Sequence, residues 1–220
     1  MRVLSFDVGV KNLAYCSCVV PMRDARTAES IKVEHMGVIT LEQDSDTIQE
    51  LLHTLHNLFV APEITYDMVL VENQPALKNP VMKTVQVAIQ TFFTMHSLTA
   101  PVGECPPIAG SVHSVSAMLK NGLYKKLPSE CRPRELIDAL AMKNPYTRNK
   151  KLAVVLVNMV LNSQVHRVVI PPEVSRTTLC AAKKKDDLSD AFLQLVAYMC
   201  SRFRFEIVAN RLSGDAHSNP

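Results

Sequence analysis

Four consecutive apolar residues, Met68-Val69-Leu70-Val71, run directly into a carboxylate, Glu72. A strand with one wet face alternates apolar and polar side chains. An unbroken apolar run needs cover on both faces, as a strand does inside a parallel, helix-covered sheet. The flanking sequence supplies that cover. From Asp44, with acidic residues Asp46 and Glu50 in its first turn, Ile48, Leu51, Leu52, Leu55, Leu58 and Phe59 recur at helical spacing, and the helix ends before Pro62. After the strand, Asn79-Pro80 offers an N-cap and an N1 proline for a long helix to about Leu98.

The N-terminal forty residues read as three strands: Val3 to Val8, Leu13 to Val20 and Ile31 to Thr40. Gly9 to Asn12 is short enough for a hairpin, and Pro21 to Ser30 reads as a longer polar loop, so an antiparallel meander is the simplest arrangement. Ser111 to Val115 is a fifth strand. The segment after it, punctuated by Gly122, Pro128, Pro133 and Pro145, reads as loops with a short helix near Arg134 to Met142. Further helices are expected over Lys150 to Leu161 and from about Asp186 to Phe203, with Val168 to Pro172 as loop. The fold class is therefore α/β, a five-stranded mixed sheet with three antiparallel strands then two parallel, flanked by helices. Residues 1–212 are expected to form a single domain with a basic insertion around 120–150, and 213–220 a disordered tail.

Several function classes drop out on composition. With 47% apolar and 20% charged residues the chain is not of the disordered or fibrous kind. No apolar run approaches the roughly 18 residues of a membrane span, and Asp7 arrives too early for a signal peptide, so a soluble, intracellular, non-secreted protein with no membrane partner is expected. The six cysteines lack C-x-x-C spacing and read as free thiols; Cys16 and Cys18 share one strand face, where core packing and a stray disulfide both stay open. His53 and His56 are three residues apart on the first helix but have no third metal ligand nearby in sequence. Six glycines leave no credible nucleotide loop, so no nucleotide cofactor is expected, which separates this chain from the sugar kinases and actin-like ATPases that also open on D-x-G.

Charge is divided along the chain. Residues 1–119 hold 7 Lys and Arg against 12 Asp and Glu, a net of −5, whereas residues 120–151 hold 9 against 3, a net of +6. That stretch includes Lys120, Lys125, Lys126, Arg148, Lys150 and Lys151, and Lys183-Lys184-Lys185 follows later. Such a cluster suits a polyanion, because neutralised phosphates release their counterions and affinity then falls steeply with salt; a solvated face is the plainer reading.

Acids stand where the elements meet: Asp7 at the end of the first strand, Glu72 at the end of the buried one, and Asp186-Asp187-x-x-Asp190 opening the last helix. Asp187 and Asp190, three apart, project from one helical face. Each has a structural role open to it as a helix cap, strand end or turn former. Together they form a set of up to four carboxylates whose mutual repulsion a divalent cation would relieve, and an oxygen-only set suits Mg²⁺, with Mn²⁺ as substitute. Two such ions can clamp the attacking and leaving oxygens of a phosphoryl displacement. Gly9, lacking a Cβ, would let a phosphate backbone approach the first strand.

Three segments, Phe6-Asp7-Val8-Gly9-Val10-Lys11-Asn12-Leu13-Ala14-Tyr15-Cys16, Val71-Glu72-Asn73-Gln74-Pro75 and Lys184-Lys185-Asp186-Asp187-Leu188-Ser189-Asp190-Ala191, resemble the poxvirus-type Holliday junction resolvases, relatives of RuvC and of the yeast mitochondrial resolvases. The resemblance implies a ribonuclease H-like fold and a homodimer that makes paired symmetrical nicks in four-way DNA junctions, leaving 5′-phosphates, with Asp7, Glu72, Asp187 and Asp190 as metal-binding catalytic acids. It also implies a lysine near the scissile phosphate. Tyr146 to Val154 is similar to the family's basic segment and points to Lys150 or Lys151, with Lys151 taken as catalytic, and Lys120 is the second position. Gly9, Lys11, Lys120, Lys125, Lys126, Arg148, Lys150, Lys151, Lys184 and Lys185 would contact the junction. A large DNA virus resolving replicated concatemers, in host cytoplasm or nucleus, is the setting the resemblance suggests. Two other readings keep the fold: a junction-binding module without catalysis, and a nuclease for flaps or RNA/DNA hybrids. In the apolar stripe Val81, Val85, Ala88, Ile89, Phe92 and Met95 of the long helix, core and dimer face compete.

Overall fold

The computed structural model describes residues 1–9, 11–41, 47–62, 64–77, 79–98, 109–126, 132–162, 168–170 and 185–203. The main sheet is organised around β1 (Arg2–Val8), which pairs antiparallel with β2 (Asn12–Val19) on one side and parallel with β6 (Met68–Asn73) on the other. Gly9 N donates to Asn12 O at 2.9 Å to close the β1–β2 turn. A Cβ at Gly9 would come within 2.5 Å of that same oxygen, so the turn itself requires glycine, whatever else approaches it.

Beyond β2 lies β5 (Ile31–Thr40), antiparallel, and beyond β6 lies β7 (Val112–Ser116), parallel. The expected three antiparallel and two parallel strands are thus present, but the sheet has six strands. The sixth, β8 (Val168–Val169), runs parallel to the edge of β5, pairing Ile31 with Val168, and gives the order β7-β6-β1-β2-β5-β8. Five strands were expected because a two-residue strand carries no readable period; the open edge of β5 makes Val168–Val169 a strand. The loop expected over Pro21 to Ser30 likewise holds a small hairpin, β3 (Met22–Asp24) and β4 (Thr27–Ala28), its turn tied by Arg26 N donating to Asp24 Oδ1 at 2.7 Å.

Helix α1 (Thr47–Leu55) continues as a wider π-turn over His56–Val60, and its expected Asp44 and Asp46 start lies outside the described residues. Asn79 Oδ1 accepts from Met82 N at 3.2 Å and starts α2 (Pro80–Leu98) as expected. The basic segment is more helical than expected. Ser116 caps α3 (Ala117–Asn121), a 3₁₀ turn follows over Leu123–Lys126, and then comes α4 (Arg134–Leu140). Helix α5 (Pro145–Asn162) begins at Pro145 and not at Lys150, because Asn144 Oδ1 accepts from Tyr146 N at 2.9 Å and Thr147 N at 3.2 Å, making the proline an N1 residue and not a breaker. The last helix is α6 (Lys185–Arg202). Among the described residues no helix is long and apolar enough to cross a membrane.

Both faces of the sheet are covered, as the apolar run of β6 requires. One layer packs Leu4, Phe6, Val8, Val69 and Val71 against α1 and α2 through Leu51, Leu55, Val85, Ile89 and Phe93. The other packs Val3, Cys16, Cys18 and Leu70 against α4, α5 and α6 through Leu136, Leu156, Phe192 and Val196. Cys16 and Cys18 are free, buried thiols with Sγ atoms 3.6 Å apart on this second face. Of the α2 stripe, Val85 and Ile89 are core, whereas Val81 and Met95 are half exposed.

Candidate active site

Period-two alternation decides which way the strand acids face. Val3, Ser5 and Asp7 share one side of β1, and Met68, Leu70 and Glu72 share the same side of β6, because the parallel register pairs Phe6 with Val71. Asp7 and Glu72 therefore stand side by side at the C-terminal ends of adjacent strands, on the face covered by α6. Gln194 of α6 locks that arrangement: its Nε2 donates to Ser5 Oγ and to Phe6 O, both at 3.1 Å, and the side chain is buried. One turn earlier on α6, Asp190 is brought over the same strand ends.

The three carboxylates meet at a lysine. Lys120 Nζ lies 2.7 Å from Asp7 Oδ1, 3.2 Å from Asp190 Oδ2 and 3.3 Å from Glu72 Oε1. It reaches them from α3, which packs on α6 directly after β7, and is only 7% exposed. Burial alone disfavours an ammonium, but Asp7, then Asp190 and Glu72, outweigh it and hold Lys120 well above the ordinary lysine range. Glu72 responds in the opposite sense. Its burial, reinforced by Asp7 beside it and only partly offset by Lys120, raises its pKa from 4.5 to about 8. One ammonium cannot balance three anions in a poorly hydrated pocket, and the most buried acid holds its proton.

A carboxyl raised in the folded state binds its proton more tightly there than in the unfolded chain. Between 4.5 and about 8 the folded protein thus carries the extra proton, and stability falls as pH rises. Urea midpoints of the metal-free protein, taken near pH 5 and near pH 8, are expected to decline across this window, and Glu72→Gln is expected to flatten the decline. A wild-type profile as flat as the variant's would contradict this account.

Glu72 is also held from behind. Gln74 Nε2 donates to Glu72 Oε2 at 3.0 Å and to Val8 O at 3.2 Å, bridging the tips of β6 and β1. The Gln74 backbone N–H donates in turn to Gln86 Oε1 at 2.8 Å, and Lys83 Nζ donates to that oxygen at 3.1 Å. Gln74→Leu strips both donations and is expected to cost about 1–3 kcal/mol in urea unfolding, and an unchanged midpoint would remove Gln74 from this role. Gln74 stands in the Val71–Pro75 segment with no role expected of it, and Gln86 and Gln194 are not among the expected site residues. The signal for the last two was a glutamine inside an apolar helical stripe, as in Leu193-Gln194-Leu195.

The sequence-derived residues fall into groups. Asp7, Glu72, Asp190 and Lys120 converge. Asp187, half-buried, lies on the first turn of α6, one turn from Asp190. Lys151 is not drawn into the cluster: it is exposed on α5 and, among the described residues, makes no ion pair with these acids. Lys150 Nζ sits 5.0 Å above the Tyr146 ring, Arg148 is half-buried on the first turn of α5, and Lys11 and Lys125 are exposed. Lys126 ends the 3₁₀ turn, Lys185 opens α6, and Lys184 lies outside the described residues.

The donors are suited in kind to a hard divalent cation: oxygens from three elements converge on one point, and a cation, the ammonium, already sits there. Among the described residues no three His, Cys, Asp or Glu side chains are grouped as closely as a metal's ligands, since the lysine holds the central position. The oxygens, 2.7–3.3 Å from that nitrogen, would have to close on an ion bound at about 2.1 Å.

No protein-family model matches the chain, and no curated protein sequence does. Solved structures do. The fowlpox virus resolvase in complex with substrate Holliday junction DNA is similar at 17% identity and a TM-score of 0.53, over 91% of this chain and 98% of that one. The free fowlpox virus Holliday junction resolvase gives 14% identity and a TM-score of 0.50, over 91% and 99%. The yeast mitochondrial Holliday junction resolvase gives 18% and 0.52, over 90% and 78%. The chain has the fold of Holliday junction resolvases, as the three sequence segments implied.

Proposed function

We propose that this protein is a structure-selective endodeoxyribonuclease that resolves four-way DNA junctions by paired symmetrical nicks, working as a homodimer of single ribonuclease H-like domains. The observation that carries the proposal is the meeting of Asp7, Glu72 and Asp190 at one buried cationic point at the C-terminal ends of β1 and β6, in a chain with the resolvase fold. Asp7, Glu72 and Asp190, with Asp187 one turn away, would hold Mg²⁺, or Mn²⁺ in its place. Bound there, the ions supply activation of water and stabilisation of the departing 3′ oxygen.

The chain's own residues do the rest. Gln74 fixes the Glu72 carboxylate, and Gln194 fixes the strand that carries Asp7, so the acids are placed before substrate arrives. Lys11, Lys125, Arg148, Lys150 and Lys151 supply positive charge for phosphates without reading bases. Two active sites at a fixed separation in a dimer would engage two strands of an open junction, whereas linear duplex presents only one.

The test incubates the protein with a labelled four-way junction, a flap, an RNA/DNA hybrid and a matched linear duplex, in Mg²⁺ and in Mn²⁺. Symmetrical nicking of the junction with 5′-phosphate ends is the expected result. Cutting of the flap or hybrid in preference would move the substrate class, tight junction binding without cutting in either metal would make the protein a binding module, and no interaction with any of the four would reject the assignment.

A further inference from the structure

Lys120 occupies the one point on which Asp7, Glu72 and Asp190 all converge. We propose that its ammonium is a built-in stand-in for the divalent cation, neutralising these acids in the metal-free protein and vacating them before a metal ion is held. The inference rests on the metal-cage reading above and adds to it an order of events: displacement, then loading.

Geometry carries it. An ion held about 2.1 Å from these oxygens would lie within about 5 Å of a nitrogen that is itself 2.7–3.3 Å from them, so the ammonium and the ion compete for the same three acids. A lysine also suits a removable counter-ion. Its point charge rides on a flexible four-carbon stem, whereas an arginine fork would bind two oxygens rigidly. The helix that carries it, α3, is a single capped turn between Ser116 and Gly122, and is not one of the helices forming the bulk of the core. Metal binding at these acids must therefore break the contacts of Lys120 with all three of them, and the measured affinity is weakened by that cost.

The experiment uses the full chain without DNA and Mn²⁺ as the probe. Lys120→Met keeps an unbranched side chain of similar length and removes the charge. It is expected to melt at a lower temperature than wild type in chelator, to bind Mn²⁺ about tenfold or more tighter by calorimetric titration, and to gain more in melting temperature on saturation. Lys120→Arg, with the charge kept, should bind no tighter than wild type. If Lys120→Met binds Mn²⁺ no tighter than wild type, the proposal is overturned, because a lysine that is merely structural predicts equal or weaker binding.

Wild-type protein supplies a second readout that needs no variant to fold. Acylation of Lys120 by an amine-reactive reagent, followed by mass spectrometry, should be slow in chelator, where the side chain is 8% exposed, and several-fold faster with saturating Mn²⁺. Unchanged or slower labelling, with Mn²⁺ binding confirmed by a melting shift, overturns the stand-in role alone. A wild-type protein that binds no Mn²⁺ overturns the cage itself, and this proposal with it.

Discussion

Asp190→Asn is expected to keep binding a four-way junction with near wild-type affinity while nicking it at least about a thousandfold more slowly. The substitution exchanges a carboxylate oxygen for an amide of the same shape at a side chain that is 29% exposed and approaches the cluster from α6. Loss of one anionic ligand removes several kcal/mol of charge stabilisation from a phosphoryl displacement, and about 1.4 kcal/mol corresponds to each tenfold in rate. The metal-free fold should survive, because three acids currently share one ammonium and removing one negative charge eases their repulsion. Asp187→Asn should show the same separation of binding from cutting if Asp187 completes the cage. The measurement pairs junction gel shifts in Ca²⁺ with single-turnover nicking in Mg²⁺. Nicking within about tenfold of wild type for Asp190→Asn would exclude this residue from metal binding.

Phe6→Ala is expected to cost about 3–5 kcal/mol of stability, lowering the melting temperature by roughly 10 °C for a chain of this size. Phe6 is fully buried one residue before Asp7, and its ring meets those of Phe59 at 5.5 Å, Phe93 at 5.7 Å and Tyr15 at 6.4 Å. Those partners come from the turn after α1, from α2 and from β2, so one ring joins three elements on the face opposite the acids. Truncation leaves a cavity that backbone hydrogen bonds on both sides of β1 prevent from collapsing. Calorimetry or urea unfolding reads the loss directly. A cost below about 1 kcal/mol would mean that this aromatic cluster does not anchor the strand carrying Asp7.

Long, strongly patterned elements are legible in the sequence alone. The meander of β1, β2 and β5, the doubly covered β6, and α2 from Pro80 to Leu98 follow from period two, an unbroken apolar run and an N-cap with N1 proline, all of which are local. Elements that owe their form to a neighbour are not. β8 exists because the β5 edge is there to pair with it, and α5 starts at Pro145 because the Asn144 side chain folds back onto the next turn. A proline read alone signals a break; read with its cap it signals a beginning.

For the site, the same division holds. The sequence by itself determined that Asp7 and Glu72 end their strands and that Asp187 and Asp190 open the last helix, since alternation and helical spacing dictate side-chain direction within an element. Only the tertiary structure decided which lysine joins them. Lys120 and Asp7 are 113 residues apart in the chain and 2.7 Å apart in space, while Lys151, at the other end of the same basic stretch, stays at the surface. Local composition marks where positive charge is plentiful, but the pairing of a buried charge is set by the long-range packing of α3 and α6 over the β1 and β6 tips, where a lone ammonium or a lone carboxylate would be too costly to bury.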